Sequence, residues 1–327
     1  MKKILFCTHK QSPFFYTVPP ALASLGFEVS IFDYYQPTLS IRLIGLVNNK
    51  LHFDKNYTLI NKFVNTALLH QVAKEKPDYF FTTKALTITN ETIEEINNLG
   101  VTTINWFQDL LQFLPWMKSH ATSYRYFFTM DPLIQRELKK VGISSYFFPL
   151  GTNPDREHNR SKKEYDLVFT GQWTKRREKL FNQLDLLGDK FSIWGFPGWN
   201  QSVLKKHYHG FLPTADEVYN ILRKSKIVLN VQTADKEYPT EVVNLRVFET
   251  TGVGTFLLTW FHPELEDFFK IGREIETFRT PEEALEKSRF YLTHDTEREK
   301  IAQAGWRRTV KDHSYVNRFK TMFKIVT

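Results

Sequence analysis

The chain has 327 residues, 42% of them apolar and 15% aromatic, which excludes a disordered or collagen-like polymer and supplies apolar surface for at least one large core. At about 100–200 residues per domain, two compact halves fit that length better than one. Forty-four Lys and Arg against 36 Asp and Glu leave a net charge of +8, a basic surplus that favours anionic partners without naming one. The single cysteine, Cys7, cannot form an internal disulfide and fits a reducing cytoplasm. The apolar stretch after Met1-Lys2-Lys3 is broken by His9 and Lys10, so no export signal is expected. No run approaches the roughly 18 apolar residues of a spanning helix. The expectation is a cytoplasmic protein that meets a membrane, if at all, from its inner face.

In chain order, strands are expected at Lys3–Thr8, Glu28–Tyr34, Tyr79–Thr83, Thr102–Phe107, Tyr126–Met130 and Tyr146–Leu150, with helices near Thr17–Leu25, Tyr57–Glu75, Ile88–Leu99 and Pro132–Val141. Gly26, Gly100 and Gly142 each follow a helix, where a left-handed stop residue belongs. Residues Asn153–Glu164, NPDREHNRSKKE, hold nothing apolar to anchor them and read as a linker. The alternation then restarts with strands Asp166–Thr170, Phe191–Trp194, Ile227–Val231, Gly254–Thr259 and Ile275–Phe278. Helices are expected near Arg176–Leu187, Ala215–Lys224, Val242–Thr250, Pro281–Leu292 and Thr296–Lys311. Strands alternating with helices along the whole length predict βαβ units and parallel sheets, with ligands at the carboxyl edges of the strands.

Several chemistries lack their motifs. The turn after the first strand, Thr8-His9-Lys10-Gln11-Ser12-Pro13, has no glycine to admit a dinucleotide pyrophosphate. No GxxxxGK[ST] segment occurs, no aspartates stand at DxD spacing, and no His or Cys group has metal-ligand spacing, so neither a cofactor nor a metal site is expected. The aromatics fall mostly inside strand runs such as Tyr146–Phe148, where core packing accounts for them, so no nucleic-acid partner is expected.

The most informative stretch is Glu241-Val-Val-Asn244-Leu-Arg246-Val-Phe248-Glu249, followed by Gly252 and Gly254. Free amides at the start of a helix there would attract a phosphate, Arg246 would add a charge-assisted contact, and Glu249 could accept from both hydroxyls of a ribose. An ordinary amphipathic helix with Glu249 solvated satisfies the same spacing. Upstream, strand Asp166–Thr170 empties into Gly171-Gln172-Trp173-Thr174-Lys175-Arg176-Arg177. Cations at a helix start oppose its dipole, a conflict that an anion sharing the site would relieve.

The segments FTGQWTKRR (Phe169–Arg177), IVLN (Ile227–Asn230), NLRVFETTGVGTFLLT (Asn244–Thr259) and DHSYVNR (Asp312–Arg318) together resemble the C-terminal half of CgeB-like glycosyltransferases, a branch of the group 1 GT-B enzymes. The first half is similar more loosely, through LGFEVSIFD (Leu25–Asp33), KPDYFFT (Lys76–Thr82) and NWFQDL (Asn105–Leu110). The resemblance implies an α/β GT-B fold: two Rossmann-like, doubly wound domains facing across a cleft, with a C-terminal helix crossing back to the first. Residues 1–155 would be the acceptor domain, 156–312 the nucleotide-sugar domain, and 313–327 the crossing helix, His313 fixing the turn before it.

The same resemblance implies a nucleotide-sugar donor and a hydroxyl acceptor. Glu249 would hold the ribose, and Asn244, Arg246 and Arg177 the diphosphate. Glu241, at EX7E spacing, would contact the donor sugar and lean the reaction toward retention, and His209, Gly210 and Phe211 would meet the base. Two departures stand out. Gln172 follows Gly171 where many relatives carry arginine, so the phosphate role falls to Lys175, Arg176 or Arg177. The usual E-x-F-G opening reads Glu241-Val-Val-Asn244.

In the first half, His9 follows the first strand and is a candidate general base or oxyanion stabiliser, or an exposed loop residue without a role. Asp109, at the end of a strand, is either a catalytic carboxylate or the N-cap of the next helix. Asp131, before Pro132, reads as a cap. Trp116, Lys118 and His120 suit an approach to a lipid-linked or anionic envelope acceptor, and scattered surface charge explains them equally well.

Overall fold

The computed structural model describes residues 1–35, 58–158, 161–232 and 242–326, and the chain forms two compact units. One takes in Met1–Pro149 and Arg318–Thr327, the other Leu150–Asp235 and Val243–Asn317. Glu241, Tyr57, and Asn159 with Arg160 of the expected linker lie outside the described residues.

The first unit is built on strands β1 (Lys3–Thr8), β2 (Glu28–Asp33), β3 (Tyr79–Thr83), β4 (Thr102–Phe107), β5 (Tyr126–Thr129) and β6 (Tyr146–Phe147). They form one parallel sheet in the order β2-β1-β3-β4-β5-β6. Its helices are α1 (Phe14–Ala23), α2 (Thr58–Glu75), α3 (Asn90–Asn98), α4 (Leu114–His120) and α5 (Pro132–Lys140). β3 is buried at every position and β1 at all but its first, because both faces of the sheet are covered. This is why these strands read as continuous apolar runs rather than alternations.

One face packs Leu5, Cys7, Phe80 and Phe127 against Val64, Leu68 and Ile96. The other is aromatic: Phe6 lies 5.4 Å from Phe81, Trp106 lies 5.0 Å from Phe148, and Phe319 of the C-terminal segment lies 5.8 Å from Phe81 and 5.7 Å from Phe148. Each such buried ring contributes about 1.5–3 kcal/mol through lost water contact. The strand aromatics are thus spent on the core. Gly26, Gly100 and Gly142 take φ of 89°, 82° and 78°, the left-handed stops expected of them, and Asp131 caps α5 by accepting from Leu133 N at 2.8 Å.

In this unit helices α1 and α4 depart from the sequence reading. Helix α1 starts at Phe14, earlier than expected, and keeps Pro19 and Pro20 inside it, because Val18, Ala21 and Leu22 bury a face that outweighs the missing donors. Helix α4 was hidden by its shortness, with Pro115 in the first turn where a missing N–H costs nothing.

The second unit holds β7 (Tyr165–Thr170), β8 (Phe191–Trp194), β9 (Tyr208–Gly210), β10 (Ser225–Asn230), β11 (Phe256–Trp260) and β12 (Glu276–Phe278). All are parallel, in the order β12-β11-β10-β7-β8-β9. Helices α6 (Lys175–Phe181), α7 (Ala215–Arg223), α8 (Leu245–Gly252), α9 (Pro281–Thr293) and α10 (Asp295–Arg308) surround it, and α11 (Tyr315–Ile325) begins here before its later residues join the first unit. The expected helix over Arg176–Leu187 ends at Phe181 and continues as 3-10 turns through Lys190, broken at Gly188 (φ 57°). Strand β9, three residues long, carries too little pattern to be seen in sequence.

The polar stretch after Leu150 is tied to this unit. Arg223 clamps the Asp155 carboxylate at 2.7 and 2.6 Å, and the Trp306 indole donates to Asp155 O at 3.1 Å. His313 is buried among Phe248, Phe268 and Phe269, with Nε2 at 2.9 Å from Phe268 O.

At the carboxyl ends of β7 and β8, Gly171 N donates to Trp194 O and Gly195 N to Gly210 O, both at 2.9 Å. The Trp199 indole donates to Gly171 O at 2.9 Å and the Tyr208 hydroxyl to Gly195 O at 2.8 Å. A Cβ on Gly195 would stand 1.9 Å from Gly171 O, and Gly195 has φ 153°. Gly195→Ala is therefore expected to destabilise the protein by more than about 2 kcal/mol. Gly26→Ala, whose Cβ would meet nothing within 4 Å, should cost only about 1 kcal/mol for its backbone angle. Urea unfolding midpoints of the two variants check the order.

Candidate active site

In the second sheet β8 and β9 lie on one side of β7 and β10 to β12 on the other, so the strand order reverses between β7 and β10. Ligands of open α/β sheets bind at the carboxyl ends of the strands flanking such a reversal. The final residues there form a polar row. Asn230 pairs in register with Thr259, and Thr170 is next in register beside Asn230, so all three point to one face. Asn230 Nδ2 donates to Thr259 Oγ1 at 2.9 Å, and Asn244 Nδ2 donates to Asn230 Oδ1 at 3.1 Å.

Asn244 is the N-cap of α8. Its backbone is extended, yet its side chain caps no amide of the helix. The helix is held by the buried Val247, Phe248, Thr250 and Thr251. Arg246 Nη1 donates to Glu249 Oε2 at 2.5 Å, and Glu249 is only 6% exposed. An unpaired carboxylate that deep would be costly, and Arg246 supplies its partner. Tyr219, on α7, is pushed well up by burial and by the Glu249 charge, and its hydroxyl lies 3.2 Å from Thr152 Oγ1. Thr170 Oγ1, Asn244 Oδ1 and Arg246 Nε, around the reversal, are buried without a hydrogen-bond partner among the described residues. Their unused bonding capacity is open to water or to a ligand.

The three cations after β7 part company. Lys175 and Arg176 are exposed, and the Arg176 guanidinium reaches over the Trp260 ring at 5.9 Å. Arg177 is buried at 8% exposure and works as a bracket. Its Nε and Nη2 donate to Val231 O at 3.3 and 2.8 Å, and Nη1 donates to Gln172 O at 2.8 Å. It thereby joins the loops that follow β7 and β10. Burial, with Arg246 and Arg176 nearby, lowers its guanidinium to about 10, so it stays charged at neutral pH. Thr174 caps α6 by accepting from Arg177 N at 3.2 Å. Gly171 lies under the arginine: a Cβ there would stand 2.9 Å from the Phe169 ring and 3.4 Å from Arg177 Nη1.

At the β9 edge, His209 stacks on Trp194 with ring centres 4.6 Å apart, and burial lowers its imidazole. Gly210 takes φ 124°, with its carbonyl bound to Gly195 N. Phe211 is half exposed and packs 5.0 Å from Phe196.

The first sheet reverses between β1 and β3. His9 leaves β1 there, half-buried, with its ring 5.5 Å from Tyr34 and 4.8 Å from Tyr35 and with Nδ1 enclosed and unpartnered. Burial lowers its imidazole; Asp33 opposes that shift and Lys84 adds to it. Asp109, at the end of β4, forms an ion pair with Lys84 and accepts from Leu110 N at 2.9 Å. It precedes a 3-10 turn over Leu111–Phe113 rather than capping an α-helix directly. Glu241 lies outside the described residues. Lys84 and Thr170 escaped the sequence reading. Lys84 carried one signal, a cation directly after a strand; Thr170 carried none, because a strand-end threonine is ordinary. Among the described residues no group of three or more His, Cys, Asp or Glu is placed to hold a metal, and no helix is long and apolar enough to cross a membrane.

Residues 176–324 match the sequence family described as "Glycosyl transferase-like". No curated protein matches the chain. Among solved structures, sucrose-phosphate synthase from Thermosynechococcus elongatus aligns with a TM-score of 0.67 at 11% identity, covering 99% of this chain and 98% of that one. A glycosyltransferase from Rickettsia africae gives 0.62 at 10% identity, covering 99% and 97%. HepE from Anabaena, in complex with UDP and glucose, gives 0.60 at 12% identity, covering 100% and 99%. At such identities the likeness is one of fold. The chain has the two-domain α/β architecture of the GT-B fold, two Rossmann-like sheets with helices packed around them, and its second half carries a glycosyl transferase-like sequence.

Proposed function

We propose that the protein is a glycosyltransferase of the CgeB-like kind, moving a sugar from a nucleoside-diphosphate donor to a hydroxyl acceptor without a resident metal. The observation that carries this reading is the set of unpartnered atoms at the second sheet's reversal. Arg246 Nε and the Thr170 hydroxyl can donate to anionic oxygens, while Asn244 Oδ1 needs a donor such as a sugar hydroxyl. A ligand offering phosphoryl oxygens and hydroxyls together satisfies all three. UDP with glucose in HepE and the glycosyl transferase-like sequence of residues 176–324 support the same class of ligand.

In this reading Arg246, Lys175, Arg176 and the first amides of α8 hold the departing diphosphate, the charge-neutralising work that a divalent ion does elsewhere. Glu249 takes the ribose, Gly171 lets the backbone come close, and Arg177 shapes both loops from behind. His209, Gly210 and Phe211 receive the base. Acceptor groups come from the first domain, residues 1–155, where His9 and Asp109 stand. The acceptor belongs to a cell-envelope glycan, lipid or protein, met in the cytoplasm or at the inner membrane face. The EX7E spacing of Glu241 and Glu249 favours retention, whereas a base at His9 favours inversion; the anomeric configuration of the product, read by NMR, separates them.

Thermal-shift screening against nucleoside diphosphates and nucleotide sugars should find at least one ligand that raises the melting temperature, since a ligand of the folded state alone stabilises it. Sugar transfer from a labelled donor then separates a transferase from a binding protein without turnover. Glu249→Ala should weaken that ligand about tenfold or more, roughly 1.4 kcal/mol, because it removes the ribose acceptor and frees Arg246; equal affinity in the variant would remove Glu249 from the site.

Thr170→Val keeps the shape and deletes a hydroxyl that has no partner. It should leave the melting temperature of the free protein unchanged or higher while weakening the ligand about tenfold. By contrast, Arg177→Met should lower stability by about 2–4 kcal/mol, because it strands the Val231 and Gln172 carbonyls. A melting temperature equal to wild type would contradict the bracket.

A further inference from the structure

The backbone at Lys84 is forced. Lys84 and Ala85 take φ of 56° and 55°, a left-handed pair of residues without a glycine, at the carboxyl end of β3. Such conformations persist where the surroundings over-determine them and gather at functional sites. Here Lys84 N donates to Trp106 O at 3.3 Å, Asn105 Nδ2 donates to Lys84 O at 3.4 Å, and the ammonium is paired with Asp109 and lies 4.0 Å from the Phe113 ring centre. On the neighbouring strand Cys7 is in register with Thr82, and the next pair, Thr8 and Thr83, share a hydroxyl bond of 2.6 Å. His9 and Lys84 therefore leave adjacent strands side by side.

We propose that Lys84 and Asp109 are a positioning pair for His9: Asp109 fixes the ammonium at the end of β3, where its charge keeps the imidazole neutral and ready to take the acceptor's proton. Among the described residues, the charged and titratable groups facing His9 are Asp33, Tyr34 and Tyr35 from the end of β2 and Lys84 from β3, with Lys10 next in the chain. Of these, Asp33 favours the imidazolium. Against it stand burial and Lys84. Nδ1 is enclosed and carries the hydrogen of the neutral ring, so Nε2 is the nitrogen that receives the proton. The acceptor O–H bond breaks, its oxygen bonds to the anomeric carbon, and the bond from that carbon to the β-phosphate oxygen breaks, the electron pair leaving on the diphosphate.

This inference rests on the inverting form of the transferase reading for the use of the proton; the electrostatic part stands without it. The test is an NMR titration of the His9 ring in the full ligand-free chain, assigned with His9→Gln. Lys84→Met should move the His9 midpoint to higher pH, and Lys84→Arg, which keeps the charge, should leave it near wild type. Lys84→Gln substitutes for Met if the latter does not fold. In turnover, activity falls as pH drops through the His9 midpoint, so loss of the Lys84 charge should carry the acid limb of the rate profile to higher pH. A His9 midpoint in Lys84→Met and Lys84→Gln identical to wild type would overturn the proposal. Absence of any nucleoside-diphosphate binding would overturn the transferase reading while the titration still judges the pair.

Discussion

One buried guanidinium holds the second unit's carboxyl edge together. Arg177 reaches from the start of α6 to carbonyls in the loops after both β7 and β10, the strands between which the sheet order reverses. Lysine could not replace it, because the bonds to Val231 O use two nitrogens of a planar group while a third turns to Gln172. With that bracket in place, Gly171 can pass directly beneath and the row from Thr170 to Thr259 ends cleanly at the loops. Everything else at this edge depends on those two loops keeping their spacing.

The bracket has an electrostatic consequence. Arg177, Arg176 and Arg246 are close enough for the latter two to oppose the charge on the first, and Glu249 pairs with only one of them. Like charges gathered at a partly buried edge destabilise a protein unless an anion shares the space. The cations that the sequence places at the start of α6 part ways in the fold: Thr174 and the carbonyls absorb Arg177, while Lys175 and Arg176 are exposed. Net charge alone said nothing of this concentration.

Much of the architecture could be read from sequence because parallel strands buried on two faces leave apolar runs that chemistry rarely mimics. β1, β3, β4 and β8 have the expected bounds, and the three helix-stop glycines have the backbone angles their positions demanded. Illegible were the elements too short to show a period, α4 and β9, and the change from α-helix to 3-10 turns at Asn182, inside the stretch expected to stay helical through Leu187. At the site, sequence singled out Asn244, Arg246 and Glu249 by residue type. It could not show that Arg246 and Glu249 satisfy each other, nor that Arg177 spends its donors on carbonyls. Those are facts of burial and direction, which spacing does not encode.

The two sheets solve the same problem with different materials. Each ends at its reversal in threonines: Thr8 and Thr83 bonded to each other in the first, Thr170 and Thr259 on either side of Asn230 in the second. In the second, one threonine hydroxyl and one amide oxygen are left without partners. In the first, the hydroxyls satisfy each other, and His9, flanked by tyrosines, carries an unpartnered ring nitrogen. A surface of neutral acceptors beside arginines suits a ligand that is both anionic and hydroxylated. A lone imidazole among aromatic rings, with its charged form disfavoured, suits an uncharged group with a proton to give up. This division of polarity, more than the fold that carries it, distinguishes the two halves of the chain.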